Sequence, residues 1–520
     1  MTTKIIVTNK KRLVSKYGRK GFKQIQLKLD ELIRADKARG VTTELVTMDI
    51  TASVRAHSLP KVNDPDDPEE TKLCIDAIFK KLEPDYLLIL GAPDVVAYQY
   101  LDNPILNDDL DVPTDLPYAC DAPFSEDIAD FIGPTRVVGR LPDVFGETEP
   151  AALLSGLDMA INWKRRTTRS YKSCYALTAQ TWEKSTALSL QRIMKKKQKQ
   201  FVSPADSPPW SKKDFKPRLH FINCHGQDFD TAFYGEDASG YCPEAVDQSD
   251  YTQPLTDGTV IAAECCYGAE LYDAPFAEIP PSISNTALES GVYGYLGSTN
   301  VAYGPADTNG YADLMCQYFM RNVLDGASTG RSLLEARQKY CAGEAPLDPV
   351  DLKTLAQFNL LGDPSVHPVN MKKKRSARTM APKSLVGTKS RRKRLRRRGS
   401  LLGSTLAHVR AKVKAKLNKK MKAALLEAIS SERYVQTGKI QSFLVQAAKR
   451  PSMAKSMMAK SKARGGGSYH VFGANDVKRQ KLQSKNSSPK ASTKNLGPDV
   501  LFIAREDGSN ISSIKKVFRK

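Results

Sequence analysis

Short apolar runs alternate with amphipathic stretches along the first 370 residues of the chain. Lys4–Thr8, Thr43–Met48 and Tyr86–Leu90 each have the apolar composition of a buried strand, and apolar residues recur at helical spacing between Phe22 and Leu32. Strand–helix–strand alternation predicts parallel strands joined by crossover helices. We therefore expect an α/β fold with a mostly parallel sheet flanked by helices.

The same alternation resumes after a turn-rich, acidic stretch at 113–134, which we expect to be a long functional loop. Four further strands are predicted at Cys174–Ala179, Arg218–Asn223, Thr259–Ala263 and Val292–Gly297. We predict a smaller N-terminal α/β subdomain over residues 1–150 and a second, larger subdomain over residues 151–369.

Residues 371–520 differ sharply in composition from the rest. Lys and Arg outnumber Asp and Glu there by 40 to 6, whereas the whole chain carries a net charge of +22, so the body is acidic. We predict a separate basic C-terminal extension over 370–520, flexible in part. Apolar residues at three- and four-residue steps predict an amphipathic helix at 401–430, and Val500–Ala504 with Ile511–Val517 predict a terminal hairpin.

Two of the predicted strands end in reactive side chains. One is followed by Cys224-His225-Gly226, the other by Cys265, Cys266 and, shortly after, Gly268. Ligands of open α/β sheets bind at the carboxyl ends of strands, so a thiol and an imidazole are expected at one edge. A thiol protease needs these two groups and backbone N–H donors for the oxyanion, and Gly226 offers an unhindered N–H.

These features resemble the clan of caspases, legumains, metacaspases and gingipains, and gingipain-type peptidases most of all. The resemblance rests on His225-Gly226, on the Cys-x-x-Gly pattern, and on four further stretches within residues 1–369. These are Pro84–Gly91, Arg136–Pro142, Tyr295–Thr299 and Leu360–Ser365. The resemblance implies a caspase-like fold and a cysteine endopeptidase whose His225 is the catalytic acid–base.

Two adjacent cysteines compete for the role of nucleophile. Cys265 fits the gingipain and legumain spacing to Gly268, and Cys266 fits the caspase spacing. The other motifs are gingipain-like, so Cys265 is favoured and Cys266 is the alternative. The resemblance then implies the backbone N–H groups of Gly226 and Cys265 as oxyanion donors. Asp130 lies near the position of the acidic pocket residue of arginine-specific gingipains, which implies Arg or Lys at P1.

Other classes of site have weaker support. Cys224, Cys242 and the cysteine pair with His225 have neither the Cys-x-x-Cys nor the His-x-x-x-His spacing of a zinc site, so we expect neither a metal nor a cofactor. The nine cysteines are an odd number, and no apolar signal core or membrane-length run occurs, so we expect a cytoplasmic protein without a transmembrane segment.

The basic extension suggests partners besides a protein or peptide substrate. Its Lys and Arg density suits salt-dependent binding to nucleic acid or another anionic partner. If the pocket prefers basic residues, the run at 391–398 is a candidate self-cleavage site. The alternative to a peptidase is a catalytically silent caspase-fold scaffold whose tail binds nucleic acid.

Overall fold

The computed structural model describes residues 2–105, 107, 109–342, 347–371, 410–413, 434–446, 467–476, 498–507 and 510–520. Its helices are α1 Lys10–Ala38, α2 Thr51–Arg55, α3 Pro68–Leu82, α4 Ala151–Asn162, α5 Glu183–Met194, α6 Ala274–Ala277, α7 Ile283–Glu289, α8 Tyr311–Leu324, α9 Thr329–Cys341 and α10 Pro349–Gln357.

The strands follow the predicted alternation closely through the first 370 residues. They are β1 Thr2–Thr8, β2 Val41–Thr47, β3 Tyr86–Leu90, β4 Gln99–Asp102, β5 Asp111–Thr114, β6 Val138–Leu141, β7 Arg166–Thr167, β8 Tyr175–Ala179, β9 Phe201–Ser203, β10 Leu219–Asn223, β11 Ala232–Tyr234, β12 Glu244–Asp247, β13 Val260–Ala263, β14 Gly294–Ser298, β15 Tyr303–Gly304, β16 Phe358–Leu361, β17 Val369–Asn370, β18 Arg410–Val413, β19 Tyr434–Gln446, β20 Gly467–Asp476, β21 Val500–Asp507 and β22 Asn510–Arg519.

One ten-stranded sheet forms the centre of the molecule. Its order is β2-β1-β3-β6-β16-β14-β13-β10-β8-β9. Every neighbouring pair is parallel except β14 and β16. Strands covered by helices on both faces read as continuous apolar runs, and the buried strands β3 and β13 have that composition, whereas β10 also buries His220 and Asn223. The predicted mostly parallel α/β sheet is confirmed.

The predicted subdomain boundary near residue 150 lies between β6 and α4. The sheet is continuous across it, because β6 pairs with β16 through Arg140 and Leu361. A buried ion pair also joins the two parts: Lys4 Nζ on β1 lies 2.7 Å from a carboxylate oxygen of Asp363 after β16. The first strands and the later ones therefore share one core.

A second, six-stranded sheet contains the described strands of the basic extension. Its order is β15-β22-β21-β20-β19-β18, so β22 attaches it to the body through β15. At the predicted terminal hairpin, β21 and β22 pair in antiparallel register. The predicted helix at 401–430 is wrong at Arg410–Val413, which is strand β18 paired with β19, because tertiary pairing overrides a helical pattern. The rest of that helix, like the 391–398 run, lies outside the described residues.

Candidate functional site

The ends of β10 and β13 lie side by side, as the sequence predicts. The strands are parallel neighbours with Leu219 opposite Val260 and Ile222 opposite Ala263, and Glu264 N donates to Ile222 O at 2.8 Å. Beyond the strand ends, the two segments that follow β10 and β13 stay close to each other. A Cβ at Gly226 would overlap the carbonyl oxygen of Cys266 and would lie 3.4 Å from Cys265 Cβ, so only glycine fits at 226 without a shift.

His225 is held on several sides. Its backbone N–H donates to Tyr234 O at 2.8 Å, and its carbonyl accepts from Tyr234 N at 2.9 Å. Its Nε2 lies 3.0 Å from Glu236 Oε2, which also accepts from Thr181 Oγ1 at 2.8 Å. The Trp182 ring packs against the imidazole edge-on, with centroids 4.6 Å apart. A carboxylate on one ring nitrogen fixes the orientation of the imidazole, as in other proton-transfer histidines.

The two adjacent cysteines have different surroundings, although both are fully buried. Cys265 belongs to an apolar cluster with Cys224, Tyr251 and Tyr295. Burial raises the pKa of the Cys265 thiol well above its ordinary value. Cys266 Sγ instead accepts from Ala302 N at 3.3 Å, and burial also raises the pKa of its thiol.

The register of β10 and β13 sorts the residues that follow onto two faces. Continuing the pairing sets Asn223 beside Glu264, and both side chains contact Lys520. The next pair, Cys224 and Cys265, lies in the apolar cluster on the opposite face. Packing assigns His225 and Cys266 to the face of Asn223 and Glu264. Cys266 belongs to the same core cluster as Val260 and Ala262, and the Trp182 ring contacts both His225 and the Lys520 ammonium.

An ammonium group lies in a closed acidic pocket on that face. Lys520 Nζ donates to Asn223 Oδ1 at 2.9 Å, to Glu264 Oε2 at 2.8 Å and to Asp313 Oδ1 at 2.8 Å. All four side chains are buried. The ammonium also lies 5.5 Å from the centre of the Trp182 ring, which packs on His225. Burial acts to lower the pKa of Lys520, but the charges of Asp313 and Glu264 outweigh it and raise that pKa.

The other residues singled out in the sequence lie nearby or within their own loops. Gly268 turns the chain behind the cysteines, with its N–H 3.2 Å from Cys265 O. Asp130 lies in a short helical turn, Ile128–Phe131, and its Oδ2 accepts from Ser125 Oγ in the same loop at 2.8 Å. The Asp130 carboxylate therefore has a hydrogen-bond partner in its own loop, Ser125, which the sequence did not indicate.

One group of side chains has the composition of a metal site. Ligand atoms of His225, Glu236 and Cys242 lie within 4.8 Å of one another. Imidazole, carboxylate and thiolate are all zinc ligands, so these three residues could hold one ion. This group contains neither Cys265 nor Cys266. It therefore differs from the set of residues that the sequence analysis weighed as a zinc site.

A cavity of about 500 Å³ lies at the other edge of the sheet. Its lining includes Met159 and Trp163 from α4 and its C-cap, together with Asp257 and Tyr293, which precede β13 and β14. Because His225 and the cysteines follow the carboxyl ends of their strands, this cavity is separate from the candidate site.

Comparison with known proteins agrees with this geometry. The sequence model of peptidase family C25 matches residues 219–369, which contain both strand ends. The match confirms the gingipain-type resemblance in the part of the chain that holds the site. The chain is a cysteine-type peptidase, a hydrolase of protein substrates, with a caspase-like fold.

Solved structures and curated sequences add the following findings. The Arg-specific cysteine proteinase gingipain R is 12% identical, with a TM-score of 0.48 over 99% of this chain and 97% of that chain. A second protease is 12% identical, with a TM-score of 0.46 over 100% and 97%. The separase–securin complex of Saccharomyces cerevisiae is 13% identical, with a TM-score of 0.29 over 45% and 14%. No curated protein sequence matches the chain.

Several side chains of the site were not identified in the sequence. Asn223, Glu236 and Glu264 lie close in sequence to the predicted dyad, whereas Asp313 and Lys520 come from distant parts of the chain. Glu264 alone carried a signal, because a carboxylate directly after the apolar run of β13 must find a partner when buried. Within the described residues, none of the helices has the length and apolar character needed to cross a membrane.

Proposed function

We propose that this peptidase cleaves peptide bonds with His225 as the acid–base and Cys266 as the nucleophile. The observation that carries the choice is the packing of Cys266 in the core cluster of Val260 and Ala262, on the side where Trp182 contacts both His225 and Lys520, which supports a common face for His225 and Cys266. Cys265, favoured by spacing alone, is the alternative. Its packing against Cys224 in the apolar cluster supports a core role instead.

The reaction begins with proton transfer from the thiol to the imidazole. Burial raises the pKa of Cys266, so its thiolate forms when His225 takes the proton as substrate binds. The sulfur attacks the peptide carbonyl carbon, and His225 returns the proton to the leaving amine. Water then hydrolyses the thioester and regenerates the thiol.

Two backbone N–H groups are proposed to stabilise the oxyanion. One is that of Gly226, where a missing side chain lets the backbone approach the cysteines. The other is the N–H of the nucleophile itself, Cys266 in this proposal and Cys265 in the alternative. Glu236 is proposed as a positioning residue, because its carboxylate holds His225 Nε2 at 3.0 Å.

The proposed substrates have Arg or Lys at P1, and the proposed setting is intracellular. The acidic body supports the preference for basic residues, and Asp130 is the pocket carboxylate that the family resemblance implies. The same preference would make the basic run at 391–398, outside the described residues, a site of self-processing.

The proposal is tested with peptides that carry Arg, Lys or Asp at P1 under reducing conditions. Cys266→Ala is expected to lower kcat/KM by at least about 10³-fold, since the thiolate is lost, whereas Cys265→Ala keeps it within a few-fold. The opposite pattern would make Cys265 the nucleophile. If both variants still cleave the peptides at the wild-type rate, neither cysteine is the nucleophile and the proposed dyad is wrong.

A second proposed function concerns the basic extension. Residues 371–520 contain 40 Lys and Arg against 6 Asp and Glu, and this positive charge favours binding to nucleic acid or another polyanion. Binding of a double-stranded DNA fragment by the full chain is expected to weaken steeply from 50 to 200 mM salt. Salt-independent binding, or none at 50 mM, would contradict it.

A further inference from the structure

The acidic pocket beside the candidate dyad is fully matched to one ammonium group. A lysine ammonium has three hydrogen-bond donors, and Lys520 Nζ uses three acceptors at 2.8–2.9 Å from Asn223, Glu264 and Asp313. Two carboxylates in a dry pocket would be costly without a cation. The pocket is therefore built for a basic side chain.

The backbone of the bound segment enters as an added strand. Phe518 pairs with Gly304 and Arg519 with Tyr303 in antiparallel register, and Lys520 N donates to Ala302 O at 3.0 Å. Main-chain pairing of this kind accepts many sequences, and a pocket for one side chain supplies selectivity. Edge-strand addition is thus the way in which the body holds this segment.

Gly304 provides the passage for the lysine side chain. A Cβ at this position would overlap Lys520 Cε, would lie 2.8 Å from Lys520 Nζ and would lie 3.1 Å from Asp313 Oδ2. The pocket is therefore open only because residue 304 has no side chain.

The pocket adjoins the residues proposed for chemistry. Glu264 directly precedes the cysteine pair, and Asn223 lies two residues before His225. Ala302 donates its N–H to Cys266 Sγ at 3.3 Å and accepts the N–H of Lys520 through its carbonyl. A lysine in this pocket therefore brings its own backbone next to Cys266.

We infer that Asn223, Glu264 and Asp313 form a lysine-recognition pocket for extended peptide segments, and that β22 with Lys520 occupies it as an internal ligand. The inference rests on the proposed peptidase function and names its substrate side chain and an internal competitor. A tethered segment has a high effective concentration, so it competes with peptides added in trans.

Lys4 shows what a purely structural buried lysine looks like. Its Nζ lies 2.5 Å from Asp36 and 2.7 Å from Asp363, and it projects from β1, inside the central sheet. Lys520 differs because it follows β22, a strand of the second sheet, which meets the body by pairing with β15 and through the ion pair of Lys515 with Asp348. Removing the Lys520 side chain is expected to leave the body folded, whereas Lys4→Met is expected to destabilise it severely.

The test compares Lys520→Met with Lys516→Ala in the full chain. Lys516 lies on the same strand, but its ammonium lies 5.1 Å from the centre of the Phe518 ring. For a peptide with Lys at P1, Lys520→Met is expected to lower KM at least about tenfold, because the competitor is gone, and Lys516→Ala is expected to leave KM unchanged. Lys520→Ala serves as the second variant.

A binding experiment separates the pocket from catalysis. A synthetic peptide with the sequence of residues 514–520 is titrated calorimetrically into the Lys520→Met protein. It is expected to bind, whereas the same peptide ending in Ala is expected to bind at least about tenfold more weakly. Adding Glu264→Gln to the protein is expected to weaken binding of the lysine peptide by a similar factor.

The outcomes are distinct. Peptide binding without cleavage by any variant would support the pocket and overturn the proposed peptidase function. Cleavage with the same KM in wild type and Lys520→Met, without peptide binding, would overturn the pocket and leave the peptidase in place. Unfolding of both Lys520 variants would also overturn the inference, because Lys520 would then be structural in the way that Lys4 is.

Discussion

The two faces of the β10–β13 pair differ in what they bury. One face packs His220, Cys224 and Cys265 among aromatic rings, with His220 centroids 5.2 Å from Tyr175 and 6.1 Å from Tyr251. The other face carries Asn223 and Glu264, with their charged partner Lys520. His225 and Cys266 also lie on this second face. A histidine and a cysteine are therefore core residues on one face and candidate catalytic residues on the other.

This difference explains why a reactive residue type is a weak guide when taken alone. Burial among apolar groups raises the pKa of Cys265 and lowers the pKa of His220 to about 4, which disfavours the charged form of each. His225 has a carboxylate within hydrogen-bond distance. Acid–base chemistry needs such a partner, and only one face supplies it.

The largest expected effect comes from the two histidines of these strand ends. His225→Asn is expected to lower kcat by about 10²–10⁴-fold, because the proton acceptor and donor is lost. His220→Asn is expected to leave kcat within a few-fold, because its Nε2 faces the carbonyl oxygens of Phe215 and Pro217 in the core. Steady-state kinetics on a Lys-P1 peptide measure both.

Equal losses of kcat in the two histidine variants would contradict the assignment of catalysis to the face of His225 alone. Circular dichroism of each variant serves as the control, so that unfolding is not counted as lost chemistry.

A smaller effect is expected from the carboxylate that orients His225. Glu236→Gln is expected to lower kcat about 10–100-fold with little change in KM, and Glu236→Asp to recover part of the loss. Glu244→Gln, at the exposed first residue of β12, is the matched control and is expected to be neutral. A change in KM alone, or equal losses in both glutamine variants, would contradict a positioning role.

The smallest expected effect concerns stability and the apolar face. The pKa of His220 is about 4 in the folded chain against about 6.5 when exposed, so the unfolded chain binds a proton first as pH falls. Stability is therefore lost between pH 6.5 and pH 4. Urea unfolding at pH 7 and pH 4.5 is expected to show a loss about 2–3 kcal/mol smaller in His220→Asn than in wild type.

If His220→Asn and wild type lose the same stability between these pH values, His220 is not held neutral by its surroundings. His367, whose pKa burial also lowers to about 4, is present in both proteins and cancels in the difference.

Strand positions of the body were predictable because the apolar runs are continuous. Tyr86–Leu90 has the same bounds in the structure, and Thr259–Ala263 differs from β13 by one residue. The strand at Arg410–Val413 was not predictable from its helical spacing, because its partner β19 lies some 30 residues further along the chain. Local pattern carries no information about such a partner.

The candidate site divides in the same way. The sequence indicated His225, Gly226 and a cysteine pair at neighbouring strand ends, because strand ends and motif order are local features. It did not indicate Glu236 as the partner of His225, since the hydrogen bond depends on the antiparallel bridge between His225 and Tyr234. Asp130 remains a prediction for the pocket, to be compared with Glu264 by substitution.

By itself the sequence determined the α/β alternation, the reactive residue types at two strand ends and the charge division between body and extension. Only the tertiary structure decided which residues share a face and that Lys520 meets Glu264 and Asp313. The physical reason is that apolar periodicity reports burial along one segment. The partner of a buried charge depends on strand register and on chain segments that are distant in sequence.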